Sequence, residues 1–193
     1  YYDLKAANLS RLTSDENYDT YPRFSPDGTK VLFESETQKD RTGGSSGTDL
    51  FLLNIAEKRI QRLTEHPADD KMAVFADSGR SIIFISDRSG ISNVYKLDPV
   101  SFKVSVLTNT YTGCFNPSLP ADSRFMAFSL FENGGWDVYR MERPLERSVD
   151  SMPELTKYAA SLYGDSTNVF WRKVQVPPPL TDSLKVDSAK VKK

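Results

Sequence analysis

Phe24-Ser25-Pro26-Asp27-Gly28-Thr29-Lys30-Val31-Leu32-Phe33 is written again as Phe75-Ala76-Asp77-Ser78-Gly79-Arg80-Ser81-Ile82-Ile83-Phe84, and a third time, more worn, as Leu119-Pro120-Ala121-Asp122-Ser123-Arg124-Phe125-Met126-Ala127-Phe128. A second phrase follows each copy: Asp49-Leu50-Phe51-Leu52-Leu53, Asn93-Val94-Tyr95-Lys96-Leu97 and Asp137-Val138-Tyr139-Arg140-Met141. A third closes the unit, Arg62-Leu63-Thr64 and Val106-Leu107-Thr108, with Arg11-Leu12-Thr13 ahead of the first full copy. Asp49, Asn93 and Asp137 are spaced by 44 residues. Such a period in β-rich sequence predicts a repeat architecture, here the blades of a β-propeller.

Each unit offers four short strands. In the first copy they span residues 21–25, 30–35, 49–54 and 59–64, rich in Phe, Tyr, Val, Ile and Leu, which fit a pleated, packed surface. Pro26-Asp27-Gly28 separates the first two, since Pro presets one turn dihedral and Gly tolerates positive φ. Ser78-Gly79 does the same in the second copy; Asp122-Ser123 in the third lacks Gly, which predicts another turn type. The second strand is an unbroken apolar run (Val31-Leu32-Phe33, Ile82-Ile83-Phe84-Ile85, Phe125-Met126-Ala127-Phe128), which means burial on both faces. The fourth alternates (Arg59-Ile60-Gln61-Arg62-Leu63, Lys103-Val104-Ser105-Val106-Leu107), which means a half-wet outer strand, and the first strand is expected innermost. Leu12 to Leu63 is 51 residues against 44 from Leu63 to Leu107, and the surplus falls in the polar stretch 37–47 between the second and third strands.

The expected organisation is all-β: a propeller fragment of about three four-stranded blades plus part of a preceding one, with a C-terminal extension. Residues 1–13 end the preceding blade; 14–64, 65–108 and 109–156 are blades; 157–176 are a short helix or degraded blade; 177–193 are a Pro/Lys linker. Tyr1-Tyr2-Asp3-Leu4 aligns with Leu52-Leu53-Asn54-Ile55, so further blades are expected N-terminal to residue 1, and the terminal linker suggests another domain beyond it. Ser151-Met152-Pro153-Glu154-Leu155-Thr156 reads either as the closing strand of the third blade, through its Leu-Thr, or as a helix start with Ser151 and Glu154 as a capping box; the helix is preferred. Val169-Phe170-Trp171 is a candidate strand of the degraded blade.

The chain has 193 residues, is 38% hydrophobic and carries a net charge of −1, so no long-range field favours nucleic acid or an anionic membrane. The 9 Tyr and 11 Phe sit at core positions, as blade packing requires and base stacking does not. Cys114 is the one cysteine, so no internal disulfide forms. Nothing in the chain points to membrane insertion by this segment.

Chemistry is hard to find. His66, the one histidine, lies in Glu65-His66-Pro67 and reads as a solvated loop residue. No Gly-x-Ser-x-Gly elbow or phosphate loop occurs, no metal or cofactor is expected, and the segment is not expected to be an enzyme. Asp87-Arg88 reads as a hairpin turn with local hydrogen bonds rather than an ion pair. Asp15-Glu16-Asn17-Tyr18-Asp19 and Asp69-Asp70 both join one blade's fourth strand to the next blade's first. Antiparallel order puts these loops, the insertion at 37–47 and Trp136 on one face of the disc, where loops on a rigid scaffold bind partners. The candidate partner-binding residues are Asp15, Glu16, Asp19, Lys39, Arg41, Asp69, Asp70 and Trp136. The carboxylate spacing matches no calcium loop. Trp136 serves blade packing or, if exposed, a rigid anchor, and both readings stand.

The phrases Phe24 to Phe33, Phe84-Ile85-Ser86-Asp87-Arg88-Ser89-Gly90 and Asn93-Val94-Tyr95-Lys96-Leu97-Asp98 resemble the TolB-like propeller repeat, over residues 1 to about 143. The resemblance implies a β-propeller, often six-bladed, in the periplasm or cell envelope of a Gram-negative bacterium, where TolB itself binds a peptidoglycan-associated lipoprotein. It implies a protein partner, such as an envelope lipoprotein or outer-membrane protein, and a non-catalytic scaffold role. Similar repeats also precede peptidase domains, so the alternative is an accessory propeller of a larger enzyme whose catalytic domain lies outside this fragment. The third copy departs from the pattern at Ser123, and the first carries the insertion.

Overall fold

Consecutive apolar side chains on a strand point to opposite faces of its sheet, so the unbroken runs require two cores rather than one. The computed structural model, which describes residues 2–3, 8–36, 47–147 and 153–163, shows how they are supplied. A short ladder pairs β1 (Tyr2–Asp3) with β2 (Asn8–Leu9). Two four-stranded antiparallel sheets follow: β3 (Asp19–Phe24), β4 (Lys30–Glu36), β5 (Thr48–Asn54) and β6 (Arg59–Arg62), then β7 (Asp70–Ala76), β8 (Ser81–Ser86), β9 (Asn93–Leu97) and β10 (Val104–Val106). A third sheet has three strands among the described residues, β11 (Cys114–Ser118), β12 (Phe125–Glu132) and β13 (Gly135–Glu142). One helix, α1 (Lys157–Tyr163), comes last. In each sheet the strands lie in sequence order, and β3, β7 and β11 converge on one cavity. This is the blade arrangement of a propeller, with the first strand of each unit innermost.

The cores alternate with the pleat. Leu32, Leu50, Leu52 and Leu63 of the first blade pack with Ile82, Phe84, Tyr95 and Leu97 of the second. The intervening Ile83, Ile85 and Val94 face the other way, onto Cys114, Met126 and Phe128 of the third. Val31, Phe33, Phe51, Leu53 and Ile60 form a third cluster on the first blade's opposite face, against Leu12. The outer strand alternates as expected, with Arg59 exposed and Ile60 buried.

Two polar devices repeat with the period. At the start of the third strand Asp49 accepts the Thr64 hydroxyl, and that hydroxyl accepts the Leu50 amide at 3.0 Å. Asn93, Thr108 and Val94 make the same arrangement in the second blade, at 2.9 Å for each bond. The Leu-Thr phrase is thus a clasp fastening the fourth strand to the third. The second device is a bulge in each innermost strand: the register shifts between Thr20 and Arg23, Lys71 and Val74, and Phe115 and Ser118. Within each lies a left-handed residue, Tyr21 (φ 51°), Met72 (φ 54°) and Asn116 (φ 53°), spaced by 51 and 44 residues like the repeat itself.

The described part of Ser151–Thr156 is neither strand nor helix start. Residues 153–156 run across the second blade, where the Thr156 amide donates to the Ser89 carbonyl at 2.9 Å. The helix begins at Lys157, with Thr156 Oγ1 accepting the Ala159 amide at 3.1 Å in place of the expected Ser151 cap. Ser151 itself lies outside the described residues. Proline gives the reason that residues 153–156 do not form that closing strand. Leu63 and Leu107 donate their amides to Leu50 and Val94 at 2.7 and 2.8 Å, and alternate amides on a strand point the same way. Aligning Leu155-Thr156 on Leu63-Thr64 therefore puts Pro153 where Gln61 and Ser105 turn an N–H towards the third strand, and proline has none. Gly90 permits the observed docking: at φ +87° it passes so close that a Cβ would stand 3.0 Å from the Ala159 Cβ and 1.9 Å from Thr156 Oγ1. Val169-Phe170-Trp171 lie outside the described residues.

Ile83 is fully buried between the second and third blades. Ile83→Ala is expected to lower unfolding stability by about 2–5 kcal/mol in urea titration, as buried Ile truncations do; a loss below 1 kcal/mol, on the order of a surface change, contradicts this packing.

Candidate functional site

The fold spends many of the ionisable groups at and beside the loops between blades on itself. Asp70, the first residue of β7, is fully buried and takes both oxygens to the Arg88 guanidinium at 2.9 Å. Arg88 lies 4.9 Å from the centroid of the Tyr95 ring and 5.5 Å from that of Phe84, and its Nε also donates to Ser86 Oγ at 2.9 Å. Asp87-Arg88 is therefore more than the local turn expected: the turn exists, with Gly90 N bonded to Asp87 O, but Arg88 reaches the neighbouring strand in a buried ion pair. Asp70 correspondingly leaves the exposed set in which its loop position had placed it. Its neighbour Asp69 accepts the Thr48 amide at 3.0 Å and pairs with Lys71 at 2.6 Å, while its own amide donates to Asp87 at 2.9 Å. These bonds tie the interblade loop to the second-to-third-strand loops.

His66 is also buried, contrary to its reading as a solvated residue. Its Nδ1 accepts the Ala68 amide at 2.9 Å and so shapes the turn into β7. Gly47 lies against this turn, where a Cβ would stand 2.8 Å from the Ala68 carbonyl. Asp49 accepts Arg62, Thr64 and the His66 amide. Burial pushes its carboxyl up to about 6, Arg62 pulls it down, and nearby Asp70 adds to the rise.

What is left exposed on this face is different in kind. Asp15 and Glu16 stand in solvent, and Asp19 is half-buried at the start of β3. Trp136 is 60% exposed and meets Phe115 and Phe131 edge-on, each at 5.3 Å between centroids. Both readings of this tryptophan thus hold in part: it packs within its own blade and still presents a large aromatic surface. Lys39 and Arg41 lie outside the described residues.

Sequence reasoning missed the axial surface. The bulged strands line a cavity of about 410 Å3 with Tyr21, Arg23, Glu34, Met72, Asn116 and Ser118 among its walls. The Glu34 carboxylate accepts the Met72 amide, and the Asn116 amide approaches Met72 Sδ at 3.3 Å, so the bulge amides of the second and third blades are each met by a side chain of the preceding blade. Burial pushes the Glu34 carboxyl above its ordinary range. Tyr, Met and Asn share no chemistry, so the only signal for this surface was their common place in the period. Among the described residues no group of three or more His, Cys, Asp or Glu is disposed to hold a metal ion, and no helix is long and apolar enough to cross a membrane.

No protein-family model matches the chain. It is 26% identical over 132 residues to the Tol-Pal system protein TolB of Helicobacter pylori, covering 68% of this chain and 30% of that protein. It is 26% identical over 129 residues to the protein of the same name from Francisella tularensis subsp. holarctica, covering 65% and 28%. The chain thus spans under a third of the curated relatives it matches. Among solved structures it is similar to TolB from Acinetobacter baumannii (TM-score 0.62, 24% identity, 73% of this chain and 34% of that one). It is also similar to puromycin hydrolase (TM-score 0.58, 20% identity, 74% and 23%). The fold is that of a TolB-like β-propeller fragment.

Two measurements probe the buried charges. Arg88→Ala strands the Asp70 carboxylate and is expected to cost about 3–5 kcal/mol, whereas Asp70→Asn with Arg88→Met costs less than that single change; urea titration of the three proteins decides it. The second concerns pH. The folded pKa of Asp49 lies above its ordinary 3.8, so its contribution to stability is full below about pH 4 and lost as pH rises through about 6. Asn93 makes the same clasp without a charge, so Asp49→Asn is expected to gain on the wild type in melting temperature from pH 4 to pH 6.5. A constant difference across that window would count against it.

Proposed function

We propose that this chain is a non-catalytic protein-interaction scaffold, a TolB-like propeller segment of a Gram-negative cell-envelope protein acting in the periplasm. One observation carries the reading: the ionisable groups that the fold brings together are consumed in clasping strands and loops, while an aromatic and acidic surface remains open on the loop face. Asp69, Asp70, Asp87 and Arg88 hold the blades. Asp15, Glu16 and Trp136, with Asp19 at their edge, form the partner face, and Lys39 and Arg41, outside the described residues, are assigned to it from their loop position in the sequence. Trp136 is the anchor, since binding hot spots favour exposed Trp held rigidly by its neighbours. The resemblance to Tol-Pal system proteins supports a protein partner in the envelope, an envelope lipoprotein or an outer-membrane protein, with the remaining blades supplied by the same protein.

The similarity to puromycin hydrolase favours one second reading, an accessory propeller of a larger enzyme with its catalytic domain outside these residues. Capture from a cell-envelope extract separates the two. The immobilised chain is expected to retain an envelope lipoprotein or outer-membrane protein, identified by mass spectrometry. Trp136→Ala combined with Glu16→Lys should lower that retention about tenfold, as loss of one hot spot does, while Glu57→Lys on the opposite face should leave it unchanged. Retention indifferent to the Trp136 and Glu16 changes would move the partner site elsewhere. Retention of no envelope protein would favour the accessory role.

A further inference from the structure

We propose that Met72 is a peroxide-sensitive modification site, whose sulfoxide oxygen takes over the Asn116 amide and tightens the joint between the second and third blades. The inference does not depend on the identity of any partner.

Three observations converge on this sulfur. Met72 is the left-handed residue of the second blade's bulge (φ 54°) and lines the axial cavity of about 410 Å3. It is half-buried, whereas Met126 is fully buried between the same two blades. Its Sδ accepts the Asn116 amide at 3.3 Å, at the point where the register of β11 with β12 shifts and the ladder leaves Asn116 unpaired.

That amide is served by the weaker of two solutions found in this fold. In the second blade's bulge the corresponding amide, that of Met72, is received by a carboxylate oxygen of Glu34. A thioether sulfur is only a weak acceptor, whereas a sulfoxide oxygen carries the negative end of a strongly polar S–O bond. Oxidised methionine usually disrupts a core by placing a polar group among apolar ones. Here the donor is already in place. The side chain has three rotatable bonds with which to swing the oxygen onto it, and the cavity gives room for the added atom. Oxidation of this methionine thus gives the third blade's bulge amide the oxygen acceptor that the second blade's already has.

The chemistry needs a hydroperoxide as oxidant and nothing else. One lone pair of Sδ faces the Asn116 amide, and the other attacks the terminal oxygen of the peroxide. The S–O bond forms as the O–O bond breaks, and sulfur gives up two electrons. The departing oxygen takes up the proton of the transferred hydroxyl and leaves as water or an alcohol.

The full chain is treated with hydrogen peroxide. Peptide mass spectrometry follows oxidation at each methionine, and hydrogen exchange by NMR follows the Asn116 amide. Met72 is expected to oxidise at least about tenfold faster than Met126, which only local opening of the core exposes. Its sulfoxide should slow Asn116 exchange about threefold to tenfold, the worth of one strengthened hydrogen bond. Methionine sulfoxide reductase with a dithiol should restore the original rate. Met72→Gln, which offers an amide oxygen on a side chain of similar length, should give the slower exchange without peroxide. Met72→Leu should exchange faster than the wild type at Asn116 and be indifferent there to peroxide. Equal oxidation of Met72 and Met126, Asn116 exchange unchanged or faster after oxidation, or Met72→Gln matching Met72→Leu would each overturn the proposal.

Discussion

Burial of each blade on both faces is the constraint on which the rest of this structure depends. A four-stranded sheet with apolar side chains at every position of its second strand cannot be stable alone, because half of those side chains would stay in water. Ile82 and Phe84 need the first blade, and Ile83 and Ile85 need the third. The cores are therefore shared between repeats, and stability is expected to depend on neighbours more than on any single unit.

Shared cores leave little freedom for polar groups, which explains the repeated devices between the sheets. Every strand end that meets a neighbouring blade must satisfy its amides in a dry setting. Asp49 with Thr64 and Asn93 with Thr108 do so where the fourth strand meets the third. Glu34 does so at the bulge of the next blade, and Asp70 with Arg88 at the loop that follows. Among the described residues no such clasp forms at Asp137, and the neighbouring Trp136 is exposed. The features that distinguish this surface thus grow out of the same repeat that builds the fold.

The functional reading follows from this division of labour. Buried ion pairs and perturbed carboxyls accompany catalytic sites in many proteins, but here each one faces a structural amide, hydroxyl or guanidinium. The groups left to solvent among the described residues are those that suit recognition: a tryptophan braced by two Phe rings and acidic loops.

The repeat phrases determined the blades by themselves, because a period of 44 residues, an unbroken apolar second strand and an alternating fourth strand leave few ways to bury the chain. The innermost position of the first strand followed from the wet-to-dry gradient across the strands, and the shared face of the interblade loops from antiparallel connectivity. Tertiary structure decided what depends on contacts distant in sequence. Arg88 looked local because its partner Asp70 lies 18 residues away across a strand pair, and His66 looked solvated because the turn that buries it is set by the approach of Gly47. The bulges at Tyr21, Met72 and Asn116 carried no residue signature, since what they share is a backbone angle and not a side chain. Leu155-Thr156 repeats the closing phrase and yet docks on another blade. One missing amide at Pro153 and one absent Cβ at Gly90 decide that outcome, and only the folded chain brings those two positions into the same balance.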